Sequence, residues 1–358
     1  MQICICRIRV EYKKLGDIAT YINGYAFKPE QRGSEGLPII RIQDLTGNAY
    51  DLGYYNGDYP KKVELNDGDV LISWSASLGV YLWNRGKALL NQHIFKVVFD
   101  KVEIDKFYFM YAVEYNLDKM SLKTHGATMK HITKKDFDNV VIPYPELDYQ
   151  KEVAYRLTSL KGIIKKYQEQ LDLLDELIKA RFVEMFGDSI TNDKNLKLIS
   201  LFDLSVLKAG KSIKTGELSE TYDDETLMYP CFGGNGIRGY INRYSHDGNY
   251  PIIGRQGAWA GNVNYATGKF YATEHAIVVT PKVDLNTVWY YYGLKYLDLT
   301  RFQTGAAQPG LAVDKLNKVF IPFPAIELQN QFASFVEEID KSRLLSNHSL
   351  FLIKSIIF

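Results

Sequence analysis

The residues best suited to chemistry in this sequence are basic and amide side chains gathered in a few loop-like stretches. The densest stretch spans 119–135, with five lysines, two histidines and no acid. Ammonium groups bind phosphate by charge, and backbone N–H groups beside a glycine can approach a phosphate closely. We therefore predict a nucleic-acid surface at Lys123, His125, Thr128, Lys130 and Lys134. A solvated loop before a helix start explains the same residues equally well.

A second group of side chains is less basic but could read base edges. Guanidinium and amide groups make paired hydrogen bonds to guanine and adenine in the major groove. Several members lie in glycine-rich surroundings such as Gly233–Gly236, which are typical of loops. The candidates of this group, with the lysines near them, are Arg41, Gln43, Lys211, Lys214, Arg238, Arg255, Gln256, Arg301, Gln303 and Gln308.

Motifs for catalysis and metal binding are absent from the sequence. It contains no phosphate loop, no Gly-x-Gly-x-x-Gly that follows a strand and opens a helix, no His-Glu-x-x-His, no Gly-x-Ser-x-Gly and no Asn/Asp-Pro-Pro-aromatic tetrapeptide of a base methyltransferase. Cys4-x-Cys6 lacks the second pair that a zinc site needs. We interpret His93 and His275 as structural histidines rather than catalytic ones. A DNA contact ranks between these two interpretations. We expect no catalytic residue, metal or cofactor in this chain.

Composition and charge exclude several classes of protein. The 358 residues suffice for about two domains, and 46% hydrophobic residues exclude a disordered or collagen-like chain. A net charge of +1 excludes nucleic-acid binding by bulk charge alone but leaves local basic patches. No segment is long and apolar enough for a membrane span. Residues 1–10 predict a first strand rather than a secretory signal. With three cysteines, we expect a cytoplasmic protein.

An internal repeat must position these side chains. Residues 126–150 and 305–329 align without a gap at an offset of 179 residues. Both segments begin with Gly-Ala, contain an Ile-Pro-aromatic-Pro run, and end with glutamine, at Gln150 and Gln329. The chain therefore consists of two copies of one unit. Strands are predicted at 37–42, 70–74, 94–99, 140–142, 252–253, 276–280 and 319–321, with helices at 106–115 and 287–295.

A long amphipathic pattern follows each copy of the repeat. Apolar residues recur about every 3.5 positions, which predicts a helix over 148–186 and a second helix from 327. We expect the two helices to pair as an antiparallel coiled coil; packing of each helix on its own domain is the simpler alternative. The predicted helix-pair seam consists of Val153, Leu157, Leu160, Ile164, Leu171, Leu174, Ile178, Phe332, Val336, Ile339, Leu350 and Ile353.

The sequence thus predicts an α+β fold with two mixed α/β globular domains in tandem, each followed by a long helix. The predicted limits are 1–147 for the first domain and 148–198 for the first helical spacer. The second domain is predicted over 199–325, and a second, shorter helical spacer over 326–358.

These features together resemble the specificity subunit of type I restriction–modification enzymes. The resemblance is carried by two divergent globular copies, each closed by Gly-Ala, the Ile-Pro-aromatic-Pro run and a glutamine, and then by a heptad helix. Leu15-Gly16-Asp17-Ile18 and the segment 174–187, LDELIKARFVEMFG, are similar to family motifs as well. The second helix departs from the pattern, because it is shorter and because Arg343 and Ser346 interrupt its apolar seam.

The resemblance implies a non-catalytic DNA-recognition subunit. Each globular part would be a target recognition domain that reads one half of a bipartite double-stranded DNA site. The helices would set the distance between the halves and dock the modification (methyltransferase) subunits. Methylation with S-adenosylmethionine and ATP-driven cleavage would belong to those subunits and, where one is present, to a restriction subunit.

Two other functions remain open at this point. A single-chain restriction or modification enzyme is disfavoured by the missing motifs. A coiled-coil scaffold that binds proteins without DNA would show no salt-dependent binding to duplex DNA. Neither alternative, nor the resemblance, implies a membrane partner.

Overall fold

Each copy of the repeat begins and ends on a pair of antiparallel strands. In this computed structural model, which describes residues 10–48, 51–123, 133–222, 227–305 and 309–357, β1 (Glu11–Lys14) pairs with β10 (Val141–Tyr144). In the second copy β11 (Leu198–Ser200) pairs with β20 (Phe320–Pro322). The prolines of the repeated Ile-Pro-aromatic-Pro run lie in or next to these two-stranded ladders. Proline is tolerated there because an edge strand does not need every N–H group.

Two four-stranded sheets make up the rest of the first copy. One has the order β2-β9-β6-β7 and is antiparallel throughout, and the other has the order β4-β3-β8-β5 with a parallel β3–β8 pair. The strands are β2 (Thr20–Asn23), β3 (Leu37–Ile40), β4 (Tyr54–Tyr55), β5 (Glu64–Leu65), β6 (Val70–Ser73), β7 (Gly79–Leu82), β8 (Ala88–Leu90) and β9 (Ile94–Val98). The helices are α1 (Leu15–Ile18), α2 (Ile42–Thr46), α3 (Lys106–Lys123), α4 (Lys134–Asp138) and α5 (Leu147–Phe186).

The second copy repeats this topology strand for strand. Its sheets have the orders β12-β19-β16-β17 and β14-β13-β18-β15, and β13–β18 is again the parallel pair. The strands are β12 (Ser205–Ala209), β13 (Tyr229–Gly233), β14 (Gly236–Ile241), β15 (His246–Asp247), β16 (Tyr250–Gly254), β17 (Val263–Ala266), β18 (Lys269–Ala272) and β19 (Ala276–Pro281). The helices are α6 (Leu201–Leu204), α7 (Thr287–Tyr296), α8 (Val313–Leu316) and α9 (Ile326–Ile357).

The core of each copy lies between its antiparallel sheet and one amphipathic helix. In the first copy Val70 and Ile72 of β6 pack with Phe109 of α3. In the second copy Ile253 of β16 packs with Trp289 of α7. Full burial of such side chains contributes about 1.5–3 kcal/mol each, so the sheet and helix stabilise one another.

The burial pattern of the two long helices follows the predicted seam. Helix α5 begins one residue earlier than expected and ends at the predicted Phe186. The predicted positions in α5 are half-buried or buried, and most of the positions between them are exposed. The same holds for Phe332, Val336, Ile339, Leu350 and Ile353 in α9.

Contacts at the C-terminal part of α5 show how it meets α9. The rings of Phe182 and Phe332 are 5.3 Å apart, and Arg343 Nη2 lies 2.5 Å from Asp175 Oδ1. Phe182, the later residue in α5, contacts the earlier residue Phe332 in α9, and Asp175, which is earlier in α5, contacts the later residue Arg343. The two helices therefore run antiparallel, as predicted. Arg343, which interrupts the apolar seam, is accommodated by this ion pair. Phe332 also lies in the core of the second domain. Helix α9 therefore packs on its own domain as well as against α5.

Two local predictions differ from the structure. The strand predicted over 37–42 ends at Ile40, because the Asp44 carboxylate accepts the Arg41 N–H at 2.8 Å and starts helix α2. The helix predicted over 106–115 continues to Lys123. The strand predicted over residues 1–10 lies outside the described residues except for Val10. The four domain limits stay a prediction.

The chain divides into two compact units between Lys165 and Lys166. Within the described residues no helix is long and apolar enough to cross a bilayer. The same residues contain no cluster of three or more His, Cys, Asp or Glu side chains that could hold a metal ion.

Candidate nucleic-acid interface

In the first copy several strands end at one edge, which we call the first loop edge (residues 24–25, 41–43, 74–76 and 91–93). The N–H of Asn91 donates to the carbonyl of Ile40 at 3.0 Å, which holds the ends of β8 and β3 together. The N–H of Tyr25, after β2, donates to Leu90 at 2.8 Å. Trp74, after β6, donates its N–H to His93 at 3.4 Å. Four separate segments of the sequence therefore meet at one surface.

The second copy builds the equivalent surface, the second loop edge (residues 210–211, 233–236, 255–259 and 273–275). Lys211, after β12, donates its N–H to Ala272 at 3.1 Å. Arg255, after β16, donates its N–H to His275 at 2.9 Å, as Trp74 does to His93. The candidates Lys211, Arg255 and Gln256 are thus brought together although 44 or more residues separate the first from the others.

One glycine in each copy makes this convergence possible. A Cβ atom on Gly24 would lie 1.9 Å from the carbonyl oxygen of Asn91. A Cβ atom on Gly210 would lie 2.0 Å from the carbonyl oxygen of Ala272. Only glycine lets the backbones approach this closely. Asn23-Gly24 and Ala209-Gly210 stand at equivalent places in the two copies, and their shared glycine therefore has a packing cause.

The repeated glutamines hold each long helix to its domain. Gln150 is 1% exposed; its Nε2 donates to the Pro145 carbonyl at 2.7 Å, and its Oε1 accepts the N–H of Asp105 at 2.9 Å. Gln329 is fully buried and makes the same two bonds, to Pro324 and Asn286, at 2.9 Å each. Asp105 and Asn286 stand at the starts of α3 and α7. The repeat revealed these glutamines in the sequence but not their role.

In the first copy, Arg41 and Gln43 lie at the first loop edge. Arg41 is only 8% exposed, and its Nε donates to Asp44 Oδ2 at 3.0 Å. Its Nη2 also donates to the carbonyl of Asp51. The hydrogen bond with Asp44 raises the pKa of Arg41, which stays charged. Several Arg41 donors are thus engaged within the domain, whereas Gln43 is exposed on α2.

The lysine-rich stretch is only partly described. Lys123 is the last residue of α3, and His125, Thr128 and Lys130 lie outside the described residues, as does Gln308 in the second copy. Lys134 is exposed at the start of α4 and pairs with Asp138 at 2.8 Å. Its ammonium lies 5.9 Å from the ring centre of Tyr21 in β2. Lys134 therefore lies beside β2 of the antiparallel sheet.

Further described candidates of the second copy are Lys214, Arg301 and Gln303. Lys214 is exposed three residues after Lys211. Arg301 is exposed and lies 4.8 Å from the ring centre of Phe302. Gln303 donates its Nε2 to the carbonyl of Ala260, so this amide is already used. A bridge between Gln256 and Gly310 joins the segment after Gln303 to the loop edge.

A groove of about 460 Å³ opens in the second loop edge. Its walls include the side chains of Arg238 and Gln256, both predicted from the sequence. They also include Trp259, which was not a candidate, and His275, which was interpreted as a structural histidine with a DNA contact as a second possibility. Trp259 is 56% exposed, and His275 Nε2 lies 3.5 Å from Glu274 Oε1. The position of Trp259 in a glycine-rich segment is the sequence signal that could have identified it.

The arrangement suits binding of a polar, extended ligand better than catalysis. Among the described residues, the groove holds a guanidinium, an amide, an imidazole and an indole on a glycine-rich backbone. Such groups donate to base edges and contact apolar faces. His93, the histidine of the first copy, packs against Trp74 with ring centres 5.1 Å apart. The DNA contacts of all candidate residues stay predictions.

Known proteins match this chain over most of its length. A family described as the type I restriction modification DNA specificity domain matches twice, over residues 8–173 and 193–353. The specificity subunit of the Escherichia coli type I restriction enzyme EcoprrI is 29% identical over 355 residues, covering 93% of this chain and 88% of that protein. The specificity subunit of type I restriction enzyme MjaVIII from Methanocaldococcus jannaschii is 22% identical over 376 residues, covering 92% and 86%.

Two solved structures have the same fold. The S subunit of a type I restriction–modification system from M. genitalium has a TM-score of 0.63 at 16% identity, covering 100% of this chain and 96% of that one. A chain from a structure on complex assembly and conformational transition of the type I system has a TM-score of 0.50 at 15% identity, covering 97% and 95%. At these identities the likeness concerns the fold.

Proposed function

Since the chain belongs to the type I restriction–modification DNA specificity family, we propose that its two domains and two helices divide the work of DNA recognition. It is the specificity subunit of such a system, and its two family domains suit a target in two halves. Each domain reads one half on double-stranded DNA through its own loop edge.

The observation that carries this function is duplication of the scaffold with divergence of the loops. The strand orders of the two copies are the same, and so are the glutamine and glycine contacts. The loop edges differ: in the first Arg41 is buried and Trp74 is half-buried, whereas in the second Arg238 and Trp259 are exposed. A shared scaffold with different loops is what two readers of unlike sequences require.

The helix pair fixes the distance between the two half-sites. Helix α5 holds 40 residues and helix α9 holds 32, and in the second unit they are held together by the Phe182–Phe332 contact. Their outward faces carry exposed apolar residues such as Leu173, Leu344 and Phe351. These faces are the docking sites of the modification subunits.

The chemistry belongs to partner subunits. The chain carries none of the sequence motifs for methyl transfer or ATP hydrolysis. S-adenosylmethionine and ATP therefore bind in the modification subunits and, where the system has one, in a restriction subunit. The chain itself contributes binding energy and register.

The test of this function is reconstitution with modification subunits, followed by sequence mapping of methylated DNA. We expect one bipartite methylated site. Exchange of residues 1–147 for the equivalent part of a relative should change one half-site and leave the other half and the spacer unchanged. A change in both halves would contradict independent reading. Binding to duplex DNA that does not weaken with salt would favour the scaffold alternative.

A further inference from the structure

The second loop edge contains a tight hairpin that has no counterpart in the first. Strands β13 and β14 pair with Gly233 opposite Gly236, so Gly234 and Asn235 alone form the turn. Gly236 has a φ of +91°, a conformation that glycine adopts without strain. In the first copy, β3 and β4 are joined by residues 41–53, which include helix α2. The hairpin is thus a specific feature of the second domain.

The hairpin projects polar and apolar side chains from a narrow ribbon. Arg238 is exposed on β14, and Ile237 beside it is 54% exposed. A Cβ atom on Gly233 would lie 3.3 Å from Arg238 Cδ, so the stem of the arginine crosses over this glycine. The tip is held by a hydrogen bond from Asn262 Nδ2 to Asn235 Oδ1 at 3.0 Å. The arginine therefore has a supported position on the ribbon.

The opposite wall of the groove is the turn at Gly257–Trp259. Its backbone is pinned by the Gln256–Gly310 bridge and by the Gly257 N–H, which donates to Pro309 at 2.9 Å. Gly257 has a φ of +79°, so the chain turns sharply there. Gln256 and Trp259 are exposed on this wall. Within the described residues, neither the Arg238 nor the Gln256 side chain makes a hydrogen bond or an ion pair.

Two general properties of DNA indicate which part of the duplex fits this protein groove. The major groove of B-DNA is wide enough for a two-stranded β-ribbon, whereas the minor groove is about half as wide. In the major groove, arginine makes paired bonds to guanine and glutamine makes paired bonds to adenine. The glycines that line the walls let base edges come close to the backbone.

We propose that the β13–β14 hairpin and the Gly257–Trp259 turn form a reading head for the major-groove edge of a purine step. Arg238 is the residue that specifies guanine, Gln256 reads the neighbouring adenine, and Trp259 covers the rim. This inference rests on the proposed function, since it assigns one reader to the half-site of the second domain. Gly233 is a positioning residue for Arg238.

The experiment measures methylation of a randomised duplex DNA library by the chain in complex with its modification subunits. Arg238→Lys keeps the charge but removes the planar fork, and Gln256→Ala removes the amide. We expect each variant to lose preference at one base pair of one half-site, by roughly 5- to 150-fold, with the two positions adjacent. Gly233→Ala should weaken the preference at the Arg238 position alone. The salt dependence should match that of the wild-type complex.

Arg243→Ala is the matched control, because Arg243 follows the same hairpin but pairs with Glu217 at 2.5 Å. It should leave every base preference unchanged. A thermal unfolding profile equal to that of the wild type shows that the variants are folded. If the variants keep the wild-type bipartite preference, the reading head is wrong and the proposed function stands. If they lose affinity for all sequences alike without a change in base preference, the hairpin and the turn do not read bases and the inference is again wrong. A wild-type complex without any bipartite preference would refute the proposed function itself.

Discussion

The two loop edges of this protein are built on the same arrangement of strands, but their arginine and tryptophan side chains differ in burial. In the first, Arg41 is buried against Asp44, and Trp74 stacks on Phe95 with ring centres 5.5 Å apart. In the second, Arg238 and Trp259 are exposed around an open groove. The same types of side chain thus stabilise one domain and face solvent in the other. Residue type alone does not identify a DNA contact; burial and pairing decide it.

The largest expected difference between the two copies is in stability, at equivalent positions near the starts of the two long helices. Phe332 is fully buried among Phe182, Phe186 and Tyr292. Its repeat equivalent, Val153, is half-buried. Phe332→Ala should lower the free energy of unfolding by about 3–5 kcal/mol, and Val153→Ala by about 1 kcal/mol or less. Urea unfolding of the two variants measures the difference; equal losses would mean that the two helix starts are packed alike.

Next in size is the contrast between the two arginines. Arg41→Ala removes the guanidinium that neutralises the buried Asp44 carboxylate, so we expect a loss of about 3 kcal/mol in the first domain. Arg238→Ala should change stability by no more than about 0.5 kcal/mol. Replacing both Arg41 and Asp44 by apolar residues should recover part of the loss. A stable Arg41→Ala variant with an altered half-site would instead identify Arg41 as a base reader.

The shared scaffold predicts equal effects in the two copies. Gln150→Ala and Gln329→Ala each leave a buried N–H and a buried carbonyl without a partner, which should cost about 2 kcal/mol. Gln168, exposed on α5, provides the control, and Gln168→Ala should change stability by less than about 0.5 kcal/mol. Thermal and urea unfolding compare the three variants. If only one buried glutamine matters, the two helix bases are not equivalent.

The smallest effect concerns phosphate contacts. Lys134→Ala and Lys211→Ala should each lower the slope of log K against log salt by about 0.9, with all DNA sequences weakened alike. Lys341→Ala, on α9 and outside both the predicted lysine-rich stretch and the loop edges, should leave the slope unchanged. Titrations of duplex DNA at several salt concentrations measure the slope. An unchanged slope in one domain would show that the two domains grip the backbone differently.

Periodicity predicted the long helices, because a seam about every 3.5 residues constrains a whole segment at once. The strand runs around Val70 and Ala276 were also found, since their apolar residues are contiguous. The groove was not predicted, because Arg238 and His275 meet through the parallel pairing of β13 with β18. Strand order is a non-local property that no single segment encodes. The burial of Arg41 could have been suspected from Asp44 three residues later, which caps the same short helix.

The buried glutamines have a mechanical consequence. Each ties the base of a long helix to the start of a domain helix, so the joint between them cannot swivel freely. A helix of 40 residues extends about 60 Å at 1.5 Å per residue. A swivel of about 5° at its base would carry its far end about 5 Å sideways, more than the roughly 3.4 Å rise of one base pair. The two glutamine hydrogen bonds at each helix base therefore limit how far the helix can tilt, and so how precisely it fixes a distance along DNA.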